Sequence, residues 1–285
     1  VCALAVFNTQ LNFPMARLGA WLIASFALGA VGLEEIFFLN TSKGESLLRS
    51  ASHTTPFWQL MPHFQTELPG QCGPTTAIMV LNALKAQGLP AAVSSMYSSH
   101  FGNYSEEYHY WDSENLYSAD HECIKESTTP WKGSLEQVAA FFTCHGAQAK
   151  PVEANASSLT EFRSMIKKAF SEEQLRFVTI NFNRQTLHQR GVGHHSPIGA
   201  YDAMTDRVLV LDVARYKYPP WWAALPDVFA AMQSYVPGFF STRRGYIEVG
   251  LANVEESFAS SSTAKPVQDT FRTLLKSLPI GWEEV

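Results

Sequence analysis

The sequence predicts an α+β fold, with helices concentrated in the first half of the chain and antiparallel strands in the second. A buried helix over 74–84 and two amphipathic helices over 134–144 and 158–170 precede a hairpin of strands over 196–203 and 207–213. Helices grouped ahead of strands are typical of α+β proteins, whereas a parallel sheet alternates strand and helix along the chain.

The first helix is predicted from a single apolar stripe. Ala77, Val80, Leu81 and Leu84 fall at i, i+3, i+4 and i+7, so they share one helix face. The segment before it, 40–70, contains three prolines and is expected to be irregular.

The elements in the rest of the chain are predicted from composition, helix caps and β-rich runs. Residues 100–126 are rich in acids and tyrosine and are expected to form a long surface region. Ser134 and Ser158 are the expected N-caps of the two amphipathic helices. The β-rich runs 177–182 and 246–249 predict further strands beside the hairpin.

Composition limits the classes of function that the protein can have. The 285 residues are 46% apolar and carry a net charge of −5, so the chain can bury a core and lacks the basic surface of nucleic-acid-binding proteins. Four cysteines are too few for a disulfide scaffold. The sequence contains no Cys-x-x-Cys pair, which argues against a thiolate zinc site.

An uncharged run over 18–33 follows Arg17, which predicts that 1–33 is a signal peptide or membrane anchor; a buried core helix is the alternative. We therefore expect a protein exported to a periplasm or secretory lumen, or membrane-anchored, with a cytoplasmic location as the alternative. The folded domain is expected over 34–255, followed by a linker and short tail over 256–285.

Cys72 is the first candidate for chemistry. The run Gln71-Cys72-Gly73-Pro74 leads into the buried helix, and proline favours the first helical position. The positive end of a helix lowers a thiol pKa, which increases the nucleophilic thiolate fraction. An unreactive capping thiol is the alternative interpretation.

His194 and Asp212 are the second and third candidates. His194 lies near the start of the first hairpin strand, and Asp212 near the end of the second, where antiparallel strands meet. Histidine is the natural general base near neutral pH, and a carboxylate can orient its ring. Together with Cys72 they predict a Cys-His-Asp relay, with the sulfur within about 4 Å of the ring. Loop histidines and a backbone-bonded aspartate are the alternatives.

Several long motifs resemble the phytochelatin synthase family, in the papain-like cysteine peptidase clan. The run GHHSPIGAY at 193–201 is similar to the family's GHFSPIGGY, and LDVARYKYPPWW at 211–222 to its LDVARFKYPPHW. QCGPTTAIMVLNAL at 71–84 and FFTCHGAQAK at 141–150 are similar to two further family motifs. The resemblance is to the short, prokaryotic-type members, and it implies a helical N-terminal lobe carrying the cysteine and a C-terminal antiparallel lobe carrying the histidine and aspartate.

The resemblance implies an activity on glutathione. Cys72 would be the nucleophile, His194 the general base and Asp212 the orienting acid. The enzyme would form a γ-Glu-Cys thioester, release glycine, and transfer the acyl group to a second glutathione or to water. No tightly bound cofactor is implied; Cd, Zn and Cu ions would enter as glutathione thiolates, in heavy-metal detoxification. No residues are assigned to a resident metal, and a homodimer is a further expectation.

The resemblance also implies a substrate pocket. Asn181, Gly193 and Arg244 match family positions that hold glutathione; a strand-end turn residue is the alternative for Asn181, and a solvated charge for Arg244. The family's oxyanion-hole glutamine stands six residues before the cysteine, where this chain has Thr66. Gln65 is the favoured substitute, with Gln71 as the alternative.

Cys123 and Cys144 are not expected to take part in the chemistry. Cys144 is expected to be a buried, inert thiol, and His121-Glu122-Cys123 is too small a set to hold a metal by itself. Two other functions remain as alternatives: a cysteine peptidase of the bacteriocin-leader type, and an inactive thiol- or metal-binding module.

Overall fold

The computed structural model describes residues 33–101, 104–117, 122–128, 131, 133–171, 175–234 and 243–251. The predicted leader (apart from Leu33) and the predicted linker and tail lie outside these residues, so both stay predictions. Within the described part of the chain, no helix is long and apolar enough to cross a membrane.

The elements confirm the predicted α+β class. The helices are α1 (Ser42–Ser50), α2 (Thr55–Leu60), α3 (Cys72–Lys85), α4 (Glu122–Thr128), α5 (Leu135–Cys144), α6 (Leu159–Ala169) and α7 (Leu225–Gln233). The strands are β1 (Phe37–Phe38), β2 (Ser99–Phe101), β3 (Tyr104–Glu106), β4 (Ala147–Glu153), β5 (Phe177–Asn183), β6 (Gly193–Asp202), β7 (Arg207–Val210), β8 (Trp221–Ala224) and β9 (Gly245–Leu251).

Seven of the strands form one antiparallel sheet. Their order is β1-β8-β7-β6-β5-β9-β4, and β2 pairs separately with β3. The predicted hairpin is β6–β7, and its turn ends at Asp206 with a φ of 50°. The register shifts between Ile198 and Ala200, at Gly199, where an added Cβ would meet the Leu211 side chain at 3.0 Å.

Helices cover both faces of this sheet. On one face, α3 and α5 pack with sheet residues such as Leu209 and Trp222 in a single buried cluster. On the other face, α6 and α7 pack against residues such as Ile180 and Trp221. Because α3 lies inside the first cluster, every residue from Gly73 to Leu84 is buried, and not only the predicted stripe.

Two helix predictions are confirmed at their caps. Ser134 and Ser158 each accept a hydrogen bond from the third residue of the following helix, and the side chain of that residue bonds back in a capping box. The prediction that 40–70 is irregular is wrong, since this segment contains α1 and α2. Thr41 caps α1, and proline stands in the first turn of α2, where its missing N–H is tolerated.

The helix carrying the cysteine begins earlier than predicted. It starts at Cys72, so Pro74 is its third residue, where an N–H would still lack an intrahelical acceptor. Strands β4 and β8 were not predicted. The first is an edge strand that includes Pro151, and the second is the fully buried run Trp-Trp-Ala-Ala.

The prediction that Cys144 is an inert thiol is wrong. Its sulfur forms a disulfide with Cys123, which links α4 to the end of α5 across a separation of 21 residues. Cys123 is therefore not a free metal ligand, and His121 lies outside the described residues. The prediction that 100–126 is a surface region is wrong in part, because Trp111 and Leu116 belong to the core.

Candidate active site

The candidate nucleophile stands at the N-terminus of α3. Cys72 is half-buried and is the first helical residue, so its own N–H and that of Gly73 have no acceptor within the helix. Gly73 lets this end of the helix approach α5, because a Cβ there would lie 2.6 Å from a methyl group of Val138. The sequence thus places a thiol and two backbone donors at the positive end of a buried helix.

His194 and Asp212 meet beside this thiol. A ring nitrogen of His194 lies within 4.8 Å of the Cys72 sulfur. On the other side of the ring, Nε2 lies 3.0 Å from Oδ1 of Asp212, an ion-pair distance, although the contact lacks the angle of an aligned hydrogen bond. The sheet brings them together because Leu211 donates its N–H to the carbonyl of Pro197, which continues the β6–β7 pairing past the last ladder residue.

The local charges favour a protonated imidazole. Burial alone would lower the pKa of His194, but contacts with Asp212 and Cys72 outweigh burial and raise it. Burial would likewise raise the pKa of Asp212, but His194 and Arg184 reverse the effect and hold it far below its usual value. Asp212 is therefore a carboxylate, and the imidazolium form of His194 is stabilised next to the thiol.

Arg184 is a member of this network that the sequence analysis missed. Its guanidinium is 1% exposed and makes a bidentate contact with Asp212, at 2.9 and 2.8 Å. The indole N–H of Trp221 also donates to Asp212 at 2.9 Å, as does the backbone N–H of Ala214 at 3.0 Å. Arginine seldom lies buried without a carboxylate partner. No sequence motif marks Arg184, because its contact with Asp212 depends on the folded sheet.

The neighbouring histidine points the other way. Successive residues of a strand face opposite sides, and Nε2 of His195 lies 3.0 Å from the carbonyl oxygen of Gly133. Burial lowers the pKa of His195 to about 4, so near neutral pH its ring is uncharged and donates to that carbonyl. Of the two adjacent histidines, only His194 is close to the cysteine and carries the raised pKa.

A buried glutamate completes the surroundings of the thiol. A carboxylate oxygen of Glu67 lies within 4.8 Å of both the Cys72 sulfur and a ring nitrogen of His194. Two contacts hold it there: its N–H donates to the carbonyl of Val213 at 2.8 Å, and Tyr216 donates its hydroxyl to Oε1 at 3.0 Å. No motif in the sequence marks Glu67, whose place beside the thiol depends on its contacts with Val213 and Tyr216.

Gln65 and Gln71 both line a groove of about 570 Å³ along the first turn of α3. Such a volume is typical of small-molecule pockets. Tyr117 donates its hydroxyl to the side-chain oxygen of Gln71 at 3.0 Å. Cys72 and His194 are not among the described lining residues, so the groove lies beside the thiol. The oxyanion role of Gln65 stays a prediction.

The three predicted substrate residues lie on one side of the sheet. Asn181 pairs with His195 in the β5–β6 ladder and with Gly245 in the β5–β9 ladder, so it lies inside a strand and not at a turn. Arg244 covers Gly193, since an added Cβ there would lie 3.2 Å from Nη2. The alternative of a solvated Arg244 is wrong: the residue is 7% exposed, burial lowers its pKa, and its Nε has no partner among the described residues.

A thiol at a helix N-terminus, facing an imidazole paired with a carboxylate, is the arrangement expected of a hydrolase or transferase that uses a cysteine nucleophile. The sequence profile of phytochelatin synthase matches residues 33–246, and the chain belongs to that family. This match includes every predicted site residue.

Curated relatives agree with the family. The chain is 31% identical over 233 residues to glutathione γ-glutamylcysteinyltransferase 3 of Lotus japonicus, covering 78% of this chain and 45% of that protein. It is 30% identical over 212 residues to glutathione γ-glutamylcysteinyltransferase 1 of Arabidopsis thaliana, covering 73% and 40%. The relative in Schizosaccharomyces pombe is 28% identical over 166 residues, covering 58% and 36%. The chain spans less than half the length of these relatives.

Proposed function

We propose that this protein is a γ-glutamylcysteine dipeptidyl transpeptidase and hydrolase acting on glutathione. The observation that carries the proposal is the placement of the Cys72 thiol within 4.8 Å of a His194 ring whose other side meets Asp212, in a chain of the phytochelatin synthase family. The relatives named glutathione γ-glutamylcysteinyltransferase support the choice of substrate.

In the first half-reaction, the Cys72 thiolate attacks the carbonyl of the Cys-Gly peptide bond of glutathione. The N–H of Cys72 and the amide of Gln65 donate to the oxyanion. The C–N bond then breaks, His194 gives its proton to the departing glycine amine, and a γ-Glu-Cys thioester remains on Cys72.

In the second half-reaction, the amine of another glutathione or a water molecule attacks the thioester. His194 accepts the proton of the attacking group, and the Cys72 thiolate leaves. Transfer to glutathione extends the chain to a phytochelatin, and transfer to water gives free γ-Glu-Cys. Asp212 keeps the ring oriented and favours its charged form through both steps.

Arg244, Asn181 and Gly193 hold the γ-glutamyl end of the substrate in this proposal. A guanidinium fork suits a carboxylate, and the burial of Arg244 strengthens such a contact because little water competes for it. The free Nε of Arg244, among the described residues, supports this role.

We further propose a papain-like arrangement of the domain, with metal ions delivered as glutathione thiolates. Helix α3 carrying the cysteine and the sheet carrying His194 and Asp212 support the first point. Soft ions such as Cd²⁺, Zn²⁺ and Cu ions are ligated by thiolates, which supports detoxification of heavy metals as the role.

An exported or membrane-anchored location is proposed on a separate observation. The disulfide between Cys123 and Cys144 supports it, because disulfides persist in oxidising compartments and are rare in the cytosol. Non-reducing peptide mapping of protein taken from its native host after thiol alkylation tests the proposal; alkylated Cys123 and Cys144 would contradict it.

Mass spectrometry of the products formed from glutathione, with and without Cd²⁺, tests the activity. We expect free glycine, γ-Glu-Cys and, with Cd²⁺, longer γ-Glu-Cys chains, and none of these with Cys72→Ser. If glycine does not appear and longer leader-like peptides are cut, the protein is a processing peptidase. If neither substrate reacts, the protein is not a catalyst of either kind.

A further inference from the structure

The buried glutamate beside the catalytic pair has no part in the proposed reaction. Glu67, Cys72 and His194 each offer one ligand atom, and all three atoms lie within 4.8 Å of one another. Glu67 and His194 are buried, while Cys72 is half-buried, so the cluster opens to solvent on the thiol side. Two of these donors come from neighbouring positions before and at the start of α3 and the third from β6, and together they form a side-chain set of the kind found in metal sites.

The donor types match a soft or borderline divalent cation. A thiolate, an imidazole and a carboxylate are all common ligands of Zn²⁺, and the thiolate also favours Cd²⁺. Zinc bonds of about 2.3 Å to sulfur and about 2.1 Å to nitrogen place tetrahedral donors about 3.3–3.6 Å apart. Because the donor atoms lie within 4.8 Å of one another, they need to approach each other by at most about 1.5 Å, and a larger ion such as Cd²⁺ needs less.

The surroundings hold two of the donors in place. Tyr216 donates to Oε1 of Glu67, and Asp212 contacts Nε2 of His194, leaving Nδ1 as the nitrogen available for an ion. A carboxylate on the far side of a histidine ring is a common partner of metal-bound histidine, because it fixes the ring and raises its basicity. Two of the donors are anions when a metal is bound, so they balance the charge of a divalent cation.

We propose that Glu67, Cys72 and His194 together bind a free thiophilic divalent cation, with a fourth position open to solvent or to an incoming thiolate. Binding displaces to solvent the one proton that the Cys72 sulfur and Nδ1 of His194 share, and leaves both atoms bonded to the metal. The nucleophile is then blocked, so unligated metal ions inhibit the protein. This consequence for catalysis rests on the proposed function, but the binding site itself does not.

Titration of the metal-free full chain with Cd²⁺ alone, followed by the ultraviolet charge-transfer band of the cadmium–thiolate bond, tests the site. We expect the band with the native chain and its loss in Cys72→Ser, which leaves Cys2 intact. Glu67→Gln keeps the size of the side chain but removes the anion, and we expect it to weaken Cd²⁺ binding by about tenfold or more.

Glu45→Gln is the matched control. This glutamate is exposed on α1, where it pairs with Arg49, so the substitution should leave Cd²⁺ affinity unchanged. Equal affinities of Glu67→Gln and native protein, or a band that survives in Cys72→Ser, would overturn the site. If Glu67→Gln does not fold, cadmium NMR of the native chain decides, because ligation by two sulfurs excludes this donor set.

Glycine release provides the separate check on inhibition. With Cd²⁺ in excess over glutathione, we expect the rate to fall well below the rate measured with Cd²⁺ fully ligated by glutathione. A protein that never releases glycine yet binds Cd²⁺ through Glu67 would contradict the proposed function and leave the metal site standing. A protein that releases glycine at the same rate in excess Cd²⁺ would contradict the inhibition.

Discussion

At the scale of single residues, the site depends on how Asp212 is surrounded. Arg184, Trp221, Ala214 and His194 all approach its two oxygens, and the side chain is fully buried. A buried carboxylate would be costly in free energy without such partners. Because Arg184 already compensates its charge, the role left for Asp212 is to orient His194 and to stabilise the imidazolium.

Asp212→Asn should therefore change the pH dependence of glycine release as well as its rate. Loss of the carboxylate lowers the raised pKa of His194, so the alkaline limb of the kcat/KM profile should move to lower pH. The rate should fall by about 100-fold or more, because His194 loses its orientation and with it much of its general acid–base catalysis. The measurement is the pH profile of glycine release.

Asp206→Asn is the control for this prediction. It makes the same change in a surface turn at a φ of 50°, which asparagine tolerates, and breaks a partly exposed pair with Arg163. Its profile should match that of the native protein. If both variants keep the native alkaline limb, Asp212 does not act through His194.

At the scale of elements, strand β6 sorts its residues by face. His194 faces Cys72 and Asp212, while Gly193 and His195 face the side on which Arg244 lies. A one-residue slip in the pairing of β5 and β6 would exchange these faces. The ladder that pairs Phe182 with His194 therefore sets which face of β6 carries the proposed general base and which carries Gly193, a proposed substrate residue.

Gly193→Ala should weaken substrate binding with little effect on the chemical step. Its methyl group would press on the Arg244 guanidinium, only 3.2 Å away, and displace it. We expect KM for glutathione to rise about tenfold, equivalent to about 1.4 kcal/mol, with kcat nearly constant.

A double-mutant cycle with Arg244→Lys checks the mechanism of that effect. If Gly193 acts by leaving room for the guanidinium, Gly193→Ala should add little once the arginine is replaced. Fully additive effects on KM would show that Gly193 acts by another route.

The disulfide joins two elements beside the site. It closes a loop with a sequence separation of 21 residues, for which chain entropy gives about 3 kcal/mol of stabilisation. The double variant Cys123→Ser, Cys144→Ser should lose about that much free energy of unfolding, measured by urea titration. Cys72→Ser, which breaks no disulfide, is the control, and equal stabilities of the two variants would contradict the prediction.

At the scale of the whole molecule, the parts of the structure with strong local signals could be predicted. The apolar spacing in α3, the serine caps of α5 and α6 and the turn of the β6–β7 hairpin all act within a few residues. The contact between His194 and Asp212 could also be predicted, because the predicted hairpin carries both residues at its paired ends.

Features that depend on distant partners could not be predicted. Strand β4 lacks an alternating apolar pattern and is ordered by pairing along its whole length with β9, about a hundred residues later. The roles of Arg184 and Glu67 depend on contacts that only the fold creates. Arg184 pairs with Asp212, and Glu67 accepts a hydrogen bond from Tyr216. The Cys123–Cys144 pairing was missed because sequence alone does not give disulfide connectivity.

The two adjacent histidines should also give the folded protein opposite pH dependences. His195 has its pKa lowered from 6.5 to about 4 on folding, so between these values the unfolded chain binds more protons. Its contribution to stability is therefore full above pH 6.5 and is lost as the pH falls towards 4. The raised pKa of His194 acts in the other direction, and its contribution is lost as the pH rises through that value.

His195→Gln should remove the acid part of this dependence. The glutamine amide can still donate to the carbonyl of Gly133 but does not titrate. The native free energy of unfolding should fall by up to about 3 kcal/mol between pH 6.5 and 4, and clearly less in the variant. Urea titrations at several pH values measure both. Parallel curves would mean that His195 does not resist protonation in the folded protein and that the two rings do not differ in this respect.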